Sequence, residues 1–521
     1  MKKKYLITSA WPYVNGEAHI GHIVSSLLPS DIYKRFCNMK GRDSIYVSGA
    51  DMHGTPTQVI AQKQNKDPLD VAYFYKNKFV EILNLLNIKF DLFTDTETDI
   101  HKTIVQNIFI KLYEKGYIYI DKEIQPYCNN DNKFIPDRFV EGTCPRCGNS
   151  MVKVGESCEK CNLFITFENI KDPKCKICSS TPVLKETENF FLDLPKFKDK
   201  VERYILSQKN IWRKNTIEQS LSFIKEGLKA RSITRDLDYG IEVPIKGFEN
   251  KVIYVWFEAL IGYYSASVEL KKENAKDYWG ENSISAYFLG KDNIVFHTII
   301  LPTILLGIDN MNLPTYIVST ENIIKDGEKL SKSKHGDILI KDLLDKFNAD
   351  YIRFYLAKIM PETKDCDFTN EGMIQFINSD LCSNIGNFIH RTLSFLYNNF
   401  NGETPNIRNS EDEKYIKDTV KEIETLLDKF KFQESIFKIL KFSDYANKKF
   451  NDSKIWENRD EKSIFELMQY VLTLCIILKP FIPESIEKVE DILNINIVSF
   501  EYKPYSGKIK KPYVIFTKIE K

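Results

Sequence analysis

The chain has 521 residues, too many for one hydrophobic core, and a length of this order usually divides into about three or four domains. Its 43% hydrophobic and 28% charged residues are typical of a soluble globular protein, and a net charge of +1 excludes bulk electrostatic binding to nucleic acid. No stretch approaches the roughly 20 uncharged apolar residues that span a membrane, and the N-terminal apolar run breaks at Trp11-Pro12, so we expect a cytoplasmic protein without a signal peptide.

Residues 1–117 alternate between strand-like and helix-like runs. An apolar run at 5–9 predicts a strand, and the stretch 18–22, which contains His19 and His22, opens a helix after it. Such a junction presents free backbone N–H groups and the positive end of a helix dipole, which attract anions. A second strand is predicted at 44–48, and Asp67 is a predicted N-cap of a helix that runs to about residue 87. The alternation predicts an α/β fold whose parallel sheet binds ligands beyond the carboxyl ends of its strands.

Residues 118–229 are rich in turns and cysteines and are predicted to form an insertion. Two knuckles, Cys144-x-x-Cys147 and Cys158-x-x-Cys161, have the spacing of a tetrahedral Cys₄ zinc site. The alternative is a pair of disulfides, which large cytosolic enzymes rarely keep. Because all four ligands would be thiolates, no coordination position stays open and the zinc would be structural.

A second metal site is possible in the same insertion. Cys175 and Cys178 form a third knuckle, and their best partners are Cys128 and Asp131, since a carboxylate oxygen is a competent zinc ligand. The alternative is a lost site with two unligated thiols. The sequence leaves both open.

The α/β pattern resumes after the insertion. Strands are predicted at 252–256, 286–290 and 316–319. A loop bracketed by glycines then places Lys329, Lys332 and Lys334 close together, a charge density that becomes useful when a polyphosphate binds. The histidine junction and this loop together predict an enzyme that handles the phosphates of ATP.

The C-terminal third is predicted to be all-α. Beyond about residue 363 strand signals largely disappear, and apolar residues between Ile416 and Phe430 recur at helical spacing. A short strand-like tail is predicted at 513–516.

Several stretches resemble a known family. Residues 18–22 resemble the "HIGH" signature of class I aminoacyl-tRNA synthetases, and 329–333 resemble their "KMSKS" loop, with Leu330 in place of the usual Met. The stretches 9–16, 51–56, 255–263 and 290–297 resemble those of the methionyl-tRNA synthetases. The motifs run from Tyr5 to about Trp456 in the family's order and include the zinc knuckles.

The resemblance implies an architecture and a reaction. It implies a split Rossmann catalytic domain (1–117 and 230–325) around a connective insertion with zinc knuckles (118–229), then a KMSKS and stem-contact region (326–362) and a helical-bundle anticodon-binding domain (363–521). The methionine carboxylate would attack the α-phosphate of ATP bound with Mg²⁺, releasing pyrophosphate, and the methionyl-adenylate would acylate tRNA(Met).

The resemblance also implies roles for individual residues. The phosphates would be handled by His19, His22, Lys329 and Lys332, and ATP would further contact Gly21 and Asp292. Methionine would be bound by Ala10, Trp11, Tyr13, Asp51, Arg235, Trp256, Ala259, Leu260, Tyr263, Phe296, His297 and Leu301. The CAU anticodon would be read by Asn387, Arg391 and Trp456.

Chemistry gives these roles a reason. A carboxylate is already a good nucleophile, so the reaction needs positioning and charge stabilisation rather than a general base. Asp51 would bind the α-amino group, Arg235 would act near the carboxyl group, and Tyr13 and His297 would offer the sulfur weak hydrogen bonds.

The chain departs from the common family pattern at two positions. The pattern has a smaller aliphatic residue at position 11 and tryptophan at position 301, whereas this chain has Trp11 and Leu301. We interpret this as a swap that conserves pocket volume.

Two other classes of protein share part of this pattern. Synthetases for leucine, isoleucine or valine usually carry a large editing domain, and the insertion here is short. A non-catalytic RNA-binding paralogue would be expected to lose the phosphate-handling residues, which are present here.

The chain ends without an additional C-terminal tRNA-binding module, so we expect a monomer.

Overall fold

The structure is a computed structural model that describes residues 3–136, 139–154, 158, 160–161, 163–325, 328–329, 338–407 and 412–520. In chain order the strands are β1 (Lys4–Ser9), β2 (Asp43–Ala50), β3 (Leu92–Asp95), β4 (Ile118–Cys128), β5 (Lys133–Phe134), β6 (Val140–Thr143), β7 (Ser150–Lys153), β8 (Lys171–Cys175), β9 (Val183–Leu192), β10 (Arg231–Ser232), β11 (Thr234–Arg235), β12 (Val252–Ile253), β13 (Ser283–Gly290), β14 (Tyr316–Thr320), β15 (Ile323–Lys325), β16 (Glu328–Lys329) and β17 (Cys366–Phe368).

The α-helices, in chain order, are α1 (Ile20–His22), α2 (Leu28–Met39), α3 (Thr55–Gln64), α4 (Pro68–Leu85), α5 (Asp99–Glu114), α6 (Lys198–Ser207), α7 (Lys214–Lys225), α8 (Val255–Lys271), α9 (Leu301–Ile308), α10 (Ile340–Leu344), α11 (Ala349–Lys358), α12 (Asn370–Phe376), α13 (Asn387–Asn399), α14 (Glu413–Asp428), α15 (Phe432–Asp452), α16 (Ile455–Asn458), α17 (Glu461–Leu478) and α18 (Pro483–Leu493). Segments of π-helix join α1 to α2, precede α9 and join α12 to α13.

A five-stranded parallel sheet forms the centre of the catalytic half. Its strand order is β14-β13-β1-β2-β3, so β1 lies between strands that are far apart in the sequence. Successive strand residues face opposite ways: Ile7 and Phe288 pack into one core, and Leu6 and Leu289 pack into the other. Both faces are therefore covered, as parallel sheets require, and the carboxyl ends of the strands share one edge.

The insertion and the C-terminal region have different architectures. Residues between β4 and β10 carry two antiparallel sheets, ordered β10-β9-β4-β5 and β7-β6-β8. From α12 onward the described residues are mainly helical, and their apolar faces join the same core as α2 and α4. The predicted class, a parallel α/β sheet with a knuckle-bearing insertion and a helical C-terminal region, is confirmed.

Most predicted elements form where the sequence placed them. β1, β2, β13 and β14 cover the predicted strands, and Asp67 caps α4 by accepting a hydrogen bond from the N–H of Leu69. The predicted helix between Ile416 and Phe430 is α14.

Two predictions of strands were wrong. The strand expected at 252–256 stops at Ile253, and α8 begins at Val255, because a short buried apolar run does not distinguish strand from helix. The tail at 513–516 forms no strand among the described residues. Nearby, the backbone groups of Thr517 and Ile519 instead bond to the side chains of Tyr351 and Asn378, at 2.8–3.0 Å.

Among the described residues, one stretch has the length and hydropathy of a membrane span. It is Lys291–Ile308, which ends in α9, and 61% of it is buried inside the fold. Core helices of soluble proteins show the same combination, so this is weak evidence for a membrane.

Candidate functional site

The predicted anion site lies at the start of α1, directly beyond β1. His19 is the N-cap of the helix, and its Nδ1 accepts a hydrogen bond of 3.1 Å from the N–H of Gly21. The rings of His19 and His22 stack with their centroids 3.7 Å apart. A Cβ on Gly21 would come within 2.8 Å of the His19 ring, so glycine allows the ring to fold back over the helix start.

A cavity of about 410 Å³ opens beside these two histidines. Its other walls come from Ala10 and Trp11 after β1, from residues 290–293 after β13, and from residues 321–323 after β14. Three neighbouring parallel strands therefore deliver their following residues to one space. The structure brings the predicted Gly21 and Asp292 into this lining together with the histidines.

Lys291 was missed by the sequence analysis, although it stands beside Asp292 in a quoted motif. Its Nζ bonds to Glu321 at 2.8 Å and to Asp365 at 3.2 Å, and Lys291 and Glu321 line the cavity. The lysine therefore ties the β13 and β14 ends of the cavity together.

The two ends of the lysine-rich loop are attached to this site. On one side β16, which contains Lys329, pairs with β15 beside the cavity. On the other side the N–H of Ile20 donates to Ile338 O at 3.0 Å, and the N–H of Ile340 donates to Ala18 O at 3.0 Å. Lys332 lies outside the described residues, as does the side chain of Lys329.

Of the two residues predicted to offer the sulfur hydrogen bonds, Tyr13 and His297, His297 lies in a buried hydrogen bond with Tyr263. His297 Nδ1 donates to the carbonyl of Asn293 at 2.9 Å, which leaves Nε2 to accept from the hydroxyl of Tyr263 at 2.7 Å. Burial lowers the pKa of His297 to about 4, so the imidazole is neutral at pH 7. A neutral pair presents dipoles without a net charge, which suits a thioether.

Three aromatic residues of the predicted methionine-binding set pack on one another. Trp256 stacks on Phe296 with a centroid distance of 3.9 Å, and Tyr13 meets Trp256 edge to face at 5.9 Å. Ala259 and Leu260 lie on the helix, α8, that also carries Trp256.

Trp11 fills a slot between two glycines. A Cβ on Gly49 or Gly262 would come within 2.7 or 2.8 Å of its ring, and the ring stacks on His101 at 6.0 Å. Leu301 lines a different and much smaller space of about 10 Å³, beside Leu260. The structure therefore does not place Trp11 and Leu301 in one cavity.

Asp51 lies in a buried cluster of charged groups that the sequence analysis missed. The N–H of His53 donates to Asp51 Oδ1 at 3.3 Å, and His53 Nδ1 bonds to Glu258 at 2.9 Å. On its other side His53 Nε2 makes a short hydrogen bond with Glu97, which also pairs with Lys102 at 2.6 Å. His53 and Glu258 stand in the quoted stretches 51–56 and 255–263, but 205 residues separate them, and no local pattern predicts their contact.

Arg235 lies in a second cavity of about 410 Å³, which Tyr13, His53 and Trp256 also line. Its guanidinium stacks over Tyr254 at 4.1 Å and donates to backbone carbonyls beside it. It does not line the cavity beside His19.

Both predicted metal clusters assemble. The donor atoms of Cys144, Cys147, Cys158 and Cys161 lie within 4.8 Å of one another, and so do those of Cys128, Asp131, Cys175 and Cys178. In the first cluster the contacts Cys144–Cys161 and Cys147–Cys158 are 3.6 Å each, close to the ~3.8 Å between sulfurs on a tetrahedral zinc. In the second, Cys175 Sγ is 3.5 Å from the Asp131 carboxylate. Both donor sets fit a metal ion.

The three predicted anticodon readers are near one another on the helical region. Arg391 lies over the ring of Phe450 at 4.2 Å, and that ring stacks against Trp456 at 6.1 Å. Trp456 is 49% exposed, and Asn387 is exposed one turn before Arg391 on α13. The array offers a cation and aromatic faces to unstacked bases.

Known proteins resemble this chain over nearly its whole length. The family model described as "tRNA synthetases class I (M)" matches residues 5–393. A "Methionine--tRNA ligase" of Streptococcus pneumoniae (strain 70585) is 39% identical and covers 99% of this chain and 96% of its own, and one of Sulfurisphaera tokodaii is 38% identical over 99% and 95%. The solved structure of Mycobacterium tuberculosis methionyl-tRNA synthetase in complex with methionyl-adenylate has a TM-score of 0.82 at 22% identity, covering 99% of this chain and 100% of that one.

Proposed function

Because the chain belongs to the class I methionyl-tRNA synthetases, we propose that it activates L-methionine with ATP and charges tRNA(Met), initiator and elongator, for translation. The observation that carries the proposal is the adjacency of two sites: the cavity beside His19 and His22 borders Trp11, whose ring meets Tyr263 of the buried Tyr263–His297 pair.

The activation step needs positioning more than acid–base chemistry. ATP lies with its phosphates at the start of α1, where His19, His22 and the N–H groups of the helix stabilise the charge that develops on the α-phosphate. The methionine carboxylate attacks that phosphorus, and pyrophosphate leaves. Lys329 and Lys332 neutralise the departing pyrophosphate, since both ends of their loop are attached at the cavity.

Asp292 binds the nucleotide ribose from the end of β13. Mg²⁺ bound with ATP would supply positive charge that shields the phosphates. The terminal adenosine hydroxyl of tRNA then attacks the methionyl carbonyl, and AMP leaves.

Methionine is recognised at both ends. Its thioether packs between the aromatic rings and against the neutral Tyr263–His297 pair, while its α-amino group meets Asp51. Arg235, which shares a cavity with Tyr13 and Trp256, acts near the carboxyl group.

The remaining parts of the chain have supporting roles. We assign residues 1–117 and 230–325 to the catalytic domain, 118–229 to the connective insertion, 326–362 to the loop and stem-contact region, and 363–521 to the anticodon-binding domain. Zinc in the two clusters would be structural, since neither leaves an open position for substrate. We further propose that the protein acts as a monomer in the cytoplasm.

Amino-acid-dependent ATP–pyrophosphate exchange tests the function. We expect exchange with methionine and not with leucine, isoleucine, valine or cysteine, and loss of exchange in His22→Ala. Exchange with another amino acid but not methionine would overturn the substrate, and no exchange, with tRNA binding retained, would instead indicate an RNA-binding paralogue.

A further inference from the structure

A hydrogen-bond network joins the insertion to the strand that carries Arg235. Glu123 on β4 accepts three hydrogen bonds at its Oε1. The donors are the amides of Asn189, at 2.7 Å, and Gln125, at 2.8 Å, and the hydroxyl of Ser232, at 2.8 Å. The register of the sheet β10-β9-β4-β5 places these side chains on one face, because successive strand residues alternate between the two faces. The network therefore crosses three strands.

The hydroxyl of Ser232 is the link to Arg235. Its single hydrogen goes to Glu123, which is nearer than the carbonyl of Thr234 at 3.4 Å. The oxygen of the same hydroxyl accepts from Arg235 Nη1 at 2.9 Å. Nη1 also donates to the carbonyl of Ser232 at 3.3 Å and to that of Thr234 at 2.6 Å. Three oxygens therefore hold one end of the guanidinium.

Asn189 fixes the backbone beside Arg235. Asn189 and Thr234 are both fully buried, and the Thr234 hydroxyl donates to Asn189 Oδ1 at 2.8 Å while it accepts from the N–H of Phe190 at 3.0 Å. Buried polar groups of this kind are costly to leave without partners. Because Asn189 also donates to Glu123, the side chain of Arg235 and the strand that bears it depend on the same carboxylate.

The opposite edge of the guanidinium is left for a ligand. Within the described part of the chain, Nε and Nη2 of Arg235 make no hydrogen bond. These two atoms form the parallel pair of donors that binds a carboxylate in a bidentate manner. The guanidinium lies over the ring of Tyr254 at 4.1 Å, and Arg235 lines the cavity of about 410 Å³ that Tyr13 and Trp256 also line.

We propose that Glu123 is a positioning residue: through Ser232 and Asn189 it holds Arg235 so that the free edge of the guanidinium meets the carboxylate of the amino-acid substrate. The inference rests on the proposed function and deepens it, because it gives the insertion a part in binding the substrate. A guanidinium held before the substrate arrives loses less side-chain entropy on binding, and it presents both donors in one fixed direction. ATP, in the cavity beside His19, does not depend on this support.

The test compares methionine with methioninol, which has an alcohol in place of the carboxylate. In Glu123→Ala three donors lose their acceptor, and Arg235 loses its support. We expect the calorimetric Kd of methionine to rise about tenfold, and those of methioninol and ATP to change less than about threefold. In Glu123→Gln the amide oxygen still accepts from Ser232, so the Kd of methionine should stay within about threefold of the wild type. The matched control is Glu188→Ala, which removes an exposed carboxylate from the other face of the same sheet and should change no Kd.

A double variant separates positioning from a general effect on the fold. In Arg235→Gln there is no guanidinium to hold, so adding Glu123→Ala should raise the Kd of methionine less than about twofold further. Losses that multiply in the double variant would overturn the inference. Equal losses for methionine and methioninol in Glu123→Ala, or an unchanged Kd of methionine, would do so as well.

A second substitution covers the case in which Glu123→Ala does not fold. Ser232→Ala cuts the same path by removing one hydroxyl, and it should give the same selective loss for methionine. Equal losses for the two ligands in Ser232→Ala would again overturn the inference. Absence of methionine-dependent exchange by the wild-type protein would instead refute the proposed function itself.

Discussion

Trp11 and Leu301 give the sharpest test of how the amino-acid pocket is filled. Replacing Trp11 by leucine removes ~60 Å³ from the slot between two glycines, which at about 24 cal/mol per Å³ of cavity is about 1.5 kcal/mol. Lost ring contacts with His101 and Tyr263 add about 1 kcal/mol. If half of this energy is expressed in binding, the Kd for methionine rises about tenfold.

The second substitution, Leu301→Trp, adds ~60 Å³ to a cluster with little free space, which costs about 1–3 kcal/mol by overpacking. Leu301 lies beside Leu260, and Trp11 packs on Gly262 two residues further along α8. We therefore expect the double variant to regain part of the binding lost by Trp11→Leu, because α8 can shift towards the vacated slot.

The assay is a double-mutant cycle. Calorimetry gives the Kd for methionine, and urea unfolding gives the stability, for the wild type, the two single variants and the double variant. Losses that add within ~0.5 kcal/mol would refute a shared volume and show that the two positions are filled independently.

Three further predictions concern the fold and its charges. Arg353→Met removes the fully buried arginine that pairs with Asp31 at 2.6 Å and that donates to the carbonyls of Phe481 and Pro480. Although Arg35 still pairs with Asp31, the change should cost about 3–5 kcal/mol in urea unfolding; a loss below about 1 kcal/mol would contradict this. Metal analysis should find two zinc ions per chain and one in Cys158→Ser; one in the wild type would mean that the second cluster is empty. The His53 cation, whose pKa Glu258 helps to raise from 6.5 to about 10 against the effect of burial, stabilises the fold fully below pH 6.5, and this stability is lost as the pH rises towards 10. Thermal unfolding from pH 6 to 10 should show that loss, and His53→Gln should remove it; an equal loss in the variant would argue against it.

Features encoded over short spans were predictable. The cysteine knuckles, the cap at Asp67 and the apolar strands β1, β2, β13 and β14 each depend on residues within a few positions of one another, and the structure has these features. Short patterns also gave wrong predictions. At Val255 a buried apolar run is compatible with a helix as well as a strand, and the tail near Thr517 is held by side chains distant in the sequence.

The sequence by itself determined the chemistry that is available: histidines at a helix start, a lysine-rich loop, thiolate pairs, and motifs in the order of one family. Only the tertiary structure decided which groups meet. It paired His53 with Glu258 on α8, separated Trp11 from Leu301, and joined Ala18 to Ile340 beside the cavity. The physical reason is that strand order and helix packing set contacts between residues hundreds of positions apart, and the energy of those contacts depends on burial and charge that no local pattern contains.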